Sequence, residues 1–270
     1  MLVSSGKTVT VDQKFDTDET GSRYANYVFL RLVAMRRRFE RIDFKYSIFD
    51  TCYLRDCEFD TCDFTGCRFV NTQLPGAKFS GCKFDYATFE KTHVDPSILD
   101  RECPGHENLK SRFARTLRTN FQQLGDASAV NKAMAVELDA TEIHLKKAWH
   151  SNESYYRSHY PGVWGRIKAF LAWVKFKALD HVWGNGESIA RLLISVLIVV
   201  AIMAVFDAIS FRDPSRVDTY ITSFGRALEV FIGTLSPAEY ALGYLTFVTS
   251  IRLIAVGFFL SIIIKKFNRR

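Results

Sequence analysis

The chain has 270 residues, 48% of them hydrophobic, and a formal net charge of +7. That length holds one or two domains, or a repeat module joined to something else. The basic balance fits nucleic acid or an anionic membrane, but Arg36–Arg38 aside, the basic groups sit beside apolar runs (Arg166, Lys168, Lys175 and Lys177; Lys265, Lys266, Arg269 and Arg270), which argues for a bilayer and against nucleic acid.

Residues 1–24 are polar and contain no apolar stretch of signal-peptide type, so they are expected to form a loosely ordered lead-in. From there the spacing changes. Phe39, Phe44, Phe49, Leu54, Phe59, Phe64, Phe69, Leu74, Phe79, Phe84 and Phe89 recur at every fifth residue. A period of five matches neither a helix nor a flat strand. A chain that turns a corner every five residues would stack these side chains along one axis. Two residues before each from Phe49 to Phe89, and before Val94, stands a small one: Ser47, Cys52, Cys57, Cys62, Cys67, Thr72, Ala77, Cys82, Ala87 and Thr92. Each unit therefore points one large and one small residue inward.

This pattern resembles the pentapeptide-repeat family over roughly residues 39–99, with Val94 and Leu99 extending the register. The resemblance implies a right-handed quadrilateral β-helix of about three coils, placed here at residues 25–104. The family also includes long dimeric coils that mimic DNA and inhibit gyrase; a short, mildly acidic solenoid argues against that role. Five of the six cysteines occupy the small inward position, where they serve as small buried side chains. Spacing by five puts successive sulfurs on different faces, so no metal site is expected. Cys62 and Cys82 are the one pair placed to approach. Many unpaired thiols imply a reducing, cytoplasmic setting.

Residues 105–160 switch to helical spacing. Leu109, Phe113, Leu117 and Phe121 mark an amphipathic helix, Gly125 breaks it, and Asp126 or Ser128 caps an Ala-rich second helix. The hairpin is similar to ones seen after pentapeptide repeats and to a single tetratricopeptide-type unit. A cluster of Trp149, His150, Tyr155, Tyr156, His159 and Tyr160 follows, read as packing near a membrane surface. Residues 161–187 carry Trp164, Ile167, Phe170, Leu171 and Val174 among basic residues. They predict an amphipathic interfacial helix anchored by Trp164, Trp173 and Trp183.

Residues 188–270 predict an α-helical membrane domain. Leu192 to Phe206 is uncharged, and with its flanks it makes a first span; Arg191 is expected to snorkel to one interface and Asp207 to sit near the other. A second span runs from Ala241 to Ile264; its one charge, Arg252, falls near the outer headgroups if the span begins near Phe247. Between them, Ile221, Phe224, Ala227, Leu228, Phe231 and Ile232 follow helical spacing up to Gly233. Span, short helix, Thr-containing turn and span resembles the two-transmembrane pore module of potassium-type channels. The resemblance implies a re-entrant pore helix, a filter at Gly233, Thr234, Leu235, Ser236 and Glu239, and a homotetramer. The family's filter glycines are missing, so a wider path with hydroxyls from Thr234 and Ser236, a Glu239 ring and weak preference for monovalent cations is expected. Gly257 is a candidate gate hinge or a point of close helix packing.

These readings combine into a bacterial inner-membrane protein with both termini cytoplasmic, conducting ions passively and docked or regulated through the solenoid by an unidentified protein. The rivals are a membrane-anchored scaffold and a membrane-depolarising defence effector. No nucleophile–base set, phosphate-cradling loop or metal-ligand spacing is present in the sequence, so neither an enzyme nor a cofactor is expected.

Overall fold

The computed structural model describes residues 6–186 and 188–267. The chain divides into two compact units, Met1–Phe170 and Leu171–Arg270.

The first unit begins with a β-solenoid whose corners have a single physical cause. Every fifth residue from Gly21 to Lys91 has a positive φ, including Arg36, Arg41, Tyr46, Thr51, Asp56, Thr61, Gly66, Gly76 and Gly81. One left-handed residue per five bends an otherwise extended chain at regular intervals. Strands twenty residues apart then pair in parallel: Val28 opposite Ile48, Ile48 opposite Arg68, and Thr88 opposite Arg68. The largest sheet orders Thr8–Val11, Tyr27–Leu30, Ile48–Asp50, Arg68–Val70 and Thr88–Glu90, which makes about four turns.

The five-residue aromatic series becomes stacks with a twenty-residue period. Phe29, Phe49, Phe69 and Phe89 stack at centroid distances of 5.1, 4.9 and 4.9 Å. Phe44, Phe64 and Phe84 stack at 5.2 and 5.1 Å. These spacings follow the separation between hydrogen-bonded strands, ~4.8 Å. Around each corner the rings meet edge to face, as Phe44 meets Phe49.

The small positions also carry hydrogen bonds. The Sγ atoms of Cys52, Cys57, Cys62, Cys67 and Cys82 donate to carbonyl oxygens in the preceding coil, at Phe29, Ala34, Phe39, Phe44 and Phe59. Ser47 and Thr72 donate to Tyr24 and Phe49 in the same way. Cys, Ser and Thr are thus equivalent here: each is small and brings one donor. The cysteines are unpaired. Burial pushes the Cys52 thiol up to about 12 and raises those of Cys57 and Cys67. The Cys82 thiol is raised by its hydrogen bond with Cys62 and then by burial.

Two expectations are corrected at the solenoid's ends. The lead-in, residues 1–24, is not loose over its described part: Thr8–Val11 pairs with Tyr27–Leu30, Lys14–Phe15 with Val33–Ala34, and Glu19–Thr20 with Phe39–Glu40. The first coil hides from a five-residue search because Thr8 pairs with Tyr27, one residue short of the later spacing. The next coil exchanges the two inward roles, with Leu32 and Ile42 at small positions and Ala34 at a large one, all buried. At the other end Val94 keeps register, opposite Leu74, but Leu99 does not. Pro96 removes a ladder donor, and the chain instead forms a one-turn helix, α1 (Ile98–Arg101), which buries Ile98 and Leu99.

The helical hairpin follows as α2 (Glu107–Leu124) and α3 (Ala127–His150). Gly125 adopts a left-handed C-cap, and Asp126 N bonds back to Phe121 O at 3.0 Å. Of the two candidate caps, Asp126 starts α3, accepting from Ala129 N. α2 covers the last coil. Leu117 and Phe121 are buried on the solenoid core, and Phe113 lies 5.5 Å from Phe84. One turn round, Thr116, Asn120 and Gln123 accept hydrogen bonds from the backbone amides of Phe89, Thr92 and Lys91. Asn120 also donates to Thr92 O. The helix therefore satisfies a strand edge that would otherwise offer unpaired amides to another chain. α4 (Ser154–His159) places Tyr156 in a small cluster with Ala148 and Ala169.

α5 (Gly162–Trp183) includes the boundary between the units. The second unit contains α6 (Ile189–Phe211), α7 (Val217–Ile232) and α8 (Leu242–Phe267). α6 and the Leu242–Lys265 part of α8 are long and apolar enough to cross a membrane. In their most apolar windows only 33% and 11% of residues are buried within the chain, unlike the core helix of a soluble domain. Val200, Met203 and Ala204 of α6 pack with Ala227, Val230 and Phe231 of α7 and with Val248 of α8. The predicted interval between the spans is thus a helix packed on both neighbours. The Arg191 side chain pairs with Asp180 at 2.6 Å.

Candidate functional site

The second unit gathers its polar side chains at two neighbouring places: the end of α6 and the turn after α7. Asp207 lies in the last turn and a half of α6 and is fully buried. A buried carboxylate must be compensated. Tyr240 OH donates to Oδ1 at 2.5 Å and Ser223 Oγ donates to Oδ2 at 2.7 Å. Arg212 Nε stands 3.2 Å from Oδ2 and Arg226 Nε 3.8 Å from Oδ1. Arg226 also pairs with Glu239 and lies over the Tyr240 ring. Four segments meet in this cluster: the end of α6, the start of the loop after it, the middle of α7, and the turn before α8. Asp207, expected near an interface, is thus enclosed by its own chain and not left to solvent.

The turn opens with Gly233, the left-handed C-cap of α7 at φ 92°. Gly233 N and Thr234 N bond to Glu229 O, and Thr234 Oγ1 donates to the same carbonyl at 3.1 Å. The side chain of Arg252, on α8, donates from Nη1 to Ile232 O at 2.8 Å. The left-handed φ favours glycine here, and a Cβ on Gly233, 1.8 Å from Arg252 Nη1, would displace the guanidinium from its place. A guanidinium on the last carbonyls of a helix also meets the negative end of its dipole. Arg252 therefore serves as a cap for α7 and is not simply a charge at the headgroups.

The residues singled out in the sequence fall as follows. Gly233, Thr234, Ser236 and Glu239 are exposed, and Leu235 is half-buried against the α6–α7–α8 core. Glu239 does not point freely from the turn, being tied to Arg226. Gly257 lies inside an unbroken α8, and a Cβ there would meet nothing within 4 Å, so close packing within the chain does not explain it. Trp164 is 77% exposed. Trp173 is half-buried, and Trp183 stacks on Phe258 at 4.1 Å. In the C-terminal basic group, Arg269 and Arg270 lie outside the described residues. Asp207, Arg212, Ser223, Arg226 and Tyr240 were missed as a set. The available signal was the one acid at the end of an uncharged run, which demands a partner. No cluster suited to a metal ion occurs among the described residues.

Comparison with known proteins adds to the first unit. Pentapeptide repeats, in eight copies, are recognised over residues 62–95. No curated protein matches the chain. Among solved structures it is similar to QnrB1, described as a plasmid-mediated fluoroquinolone resistance protein, at 17% identity and a TM-score of 0.13. That similarity covers 33% of this chain and 62% of the QnrB1 chain. The chain thus carries a pentapeptide-repeat solenoid of about four turns, followed by helices of which two are long and apolar enough to span a membrane.

Proposed function

We propose that several copies of this chain assemble in a bilayer so that α6, α7 and α8 surround a passive ion path. One observation carries the reading. Between two candidate spans stands a sixteen-residue helix that ends in a glycine-capped turn, leaving Thr234 and Ser236 exposed. Irregular backbone at membrane depth is tolerated where it lines water or protein. Two spans and one short helix cannot enclose a path alone, so a homotetramer is the assembly proposed. Exposed Leu193, Ile194, Leu197, Ile202, Leu253 and Leu260 supply surface for lipid and for neighbouring copies.

The membrane is the bacterial inner membrane with both termini cytoplasmic, because Lys and Arg lie before the first span and after the second. The solenoid, read as a right-handed quadrilateral coil, is a rigid docking or regulatory element for a protein partner, not for nucleic acid. The test is purified protein in planar bilayers, with its subunit count measured in detergent. Ion currents altered by joint Thr234→Ala and Ser236→Ala substitution support the path; a silent monomer overturns it. A second reading, the membrane-anchored scaffold, is favoured by the pairing of Glu239 with Arg226, which leaves no acidic ring at the turn. Under it, the double substitution leaves partner binding unchanged and no current exists.

A further inference from the structure

We infer that α6, α7 and α8 hold the acyl chain of a membrane phospholipid in an apolar groove that ends beside the turn after α7. The inference rests on the reading that α6 and α8 cross a bilayer. A cleft of about 140 Å³ runs between Leu192, Val196 and Val199 of α6 and Ile251, Ala255 and Phe258 of α8. Val199 lies seven residues after Leu192, and Phe258 seven after Ile251, ~10 Å of helix in each case. The cleft is therefore long for its volume, which suits one extended hydrocarbon chain. Phe231 of α7 lines it too, packed in the core that includes Val199 and Ile251, and so marks the inner end.

None of the lining residues is charged, and their one hydroxyl, Ser195 Oγ, donates to Val182 O at 3.1 Å. A water in the cleft lacks the two to four polar partners that would hold it. Apolar cavities of about 150 Å³ stay dry and accept apolar guests, and an unfilled one forfeits dispersion contacts along its walls. The rim is open, since Val182 and Ile254 are exposed, as are Leu193, Ile194 and Leu197 of α6. On two helices of membrane length such faces meet hydrocarbon, so the guest at hand is a lipid chain. Trp183 stacks on Phe258 at the outer end, and an indole there favours the headgroup boundary. The inner end reaches Phe231 and Ile251, the sequence neighbours of Ile232 and Arg252, whose hydrogen bond caps α7. A seated chain thus packs next to both partners of that bond and braces the turn that carries Thr234.

The experiment reconstitutes the full-length protein in phosphatidylethanolamine–phosphatidylglycerol vesicles. These include a phosphatidylglycerol with a photoreactive diazirine midway along one acyl chain. After illumination, peptide mass spectrometry locates the label. The wild type is expected to carry it on Ile251 and on Phe231, which is 8% exposed and out of reach of bulk lipid. Each methylene kept out of the groove costs about fourfold in affinity. Ala255→Phe, which fills the groove, should lower that label by about tenfold or more, and Leu260→Phe, on the exposed face of α8, should leave it unchanged. Label confined to the exposed Leu193, Leu197 and Ile202 overturns the inference and leaves the ion path to be judged by its currents. A groove filled by a side chain of a neighbouring copy gives that same map. Undiminished label on Phe231 in Ala255→Phe also overturns the inference. Absence of label from both α6 and α8 removes the bilayer reading as well. Should Ala255→Phe fail to fold, the wild-type map still decides.

Discussion

Replacing Asn120 with leucine isolates the cap on the last solenoid coil. Asn120 is fully buried. Its Oδ1 accepts from Thr92 N and its Nδ2 donates to Thr92 O, both at 2.7 Å. Leucine has the same side-chain branching and heavy-atom number and neither polar group, so Asn120→Leu strands one buried amide and one buried carbonyl. Each orphaned group costs about 1–3 kcal/mol. Water reaches an end coil more easily than a middle one, so the low end of the summed range, about 2–3 kcal/mol, is the expected cost. At 1.4 kcal/mol per decade this is roughly a 30- to 150-fold rise in local opening. Hydrogen exchange of the detergent-solubilised full chain reads it directly. Peptides covering residues 88–95 should exchange faster by that factor, and peptides from residues 58–70 should not change, because local opening is confined to the end coil. Unaltered protection at residues 88–95 would show that α2 covers the coil without satisfying it.

Tyr240→Phe removes the 2.5 Å hydrogen bond to buried Asp207; a loss of about 2 kcal/mol is expected as a lower thermal midpoint in detergent, and no change would mean that Ser223 and Arg212 suffice. Thr61 is a β-branched residue at φ 56°, so Thr61→Asn should stabilise the solenoid by about 1 kcal/mol, read from the urea midpoint. Burial holds the His144 imidazole below its ordinary 6.5, against a weaker opposing pull from Glu107. The unfolded chain then binds that proton more readily, so His144's contribution is complete above about pH 6.5 and is lost as pH falls through the lower folded value. His144→Gln should flatten the thermal midpoint over that window. The raised thiols of Cys52, Cys57, Cys67 and Cys82 predict no alkylation in the native protein near neutral pH and full modification after denaturation.

The solenoid could be read from one dimension because its rule is local. One left-handed corner and one inward aromatic per five residues repeat regardless of what lies elsewhere, so Phe39 through Phe89 announce their stacks in the spacing alone. The reading failed where the rule bends: Thr8–Val11 enters one residue out of phase, and Leu32 with Ala34 keeps the inward volume while exchanging positions. Helices α2, α3, α6 and α8 were likewise legible, since period, caps and apolar length are properties of contiguous segments.

The polar contacts of the second unit were not legible in that way. Asp207 meets Ser223 and Tyr240 sixteen and thirty-three residues away, and Arg252 meets Ile232 across twenty. Nothing in the spacing of those residues favours one partner over another. The helices choose by packing, because a charge taken from water must find whichever oppositely charged or hydrogen-bonding group the fold delivers. Sequence alone determined that this chain coils every five residues and carries two membrane-length helices. Tertiary structure decided that Glu239 is neutralised and that a fixed cation, Arg252, stands at the end of α7.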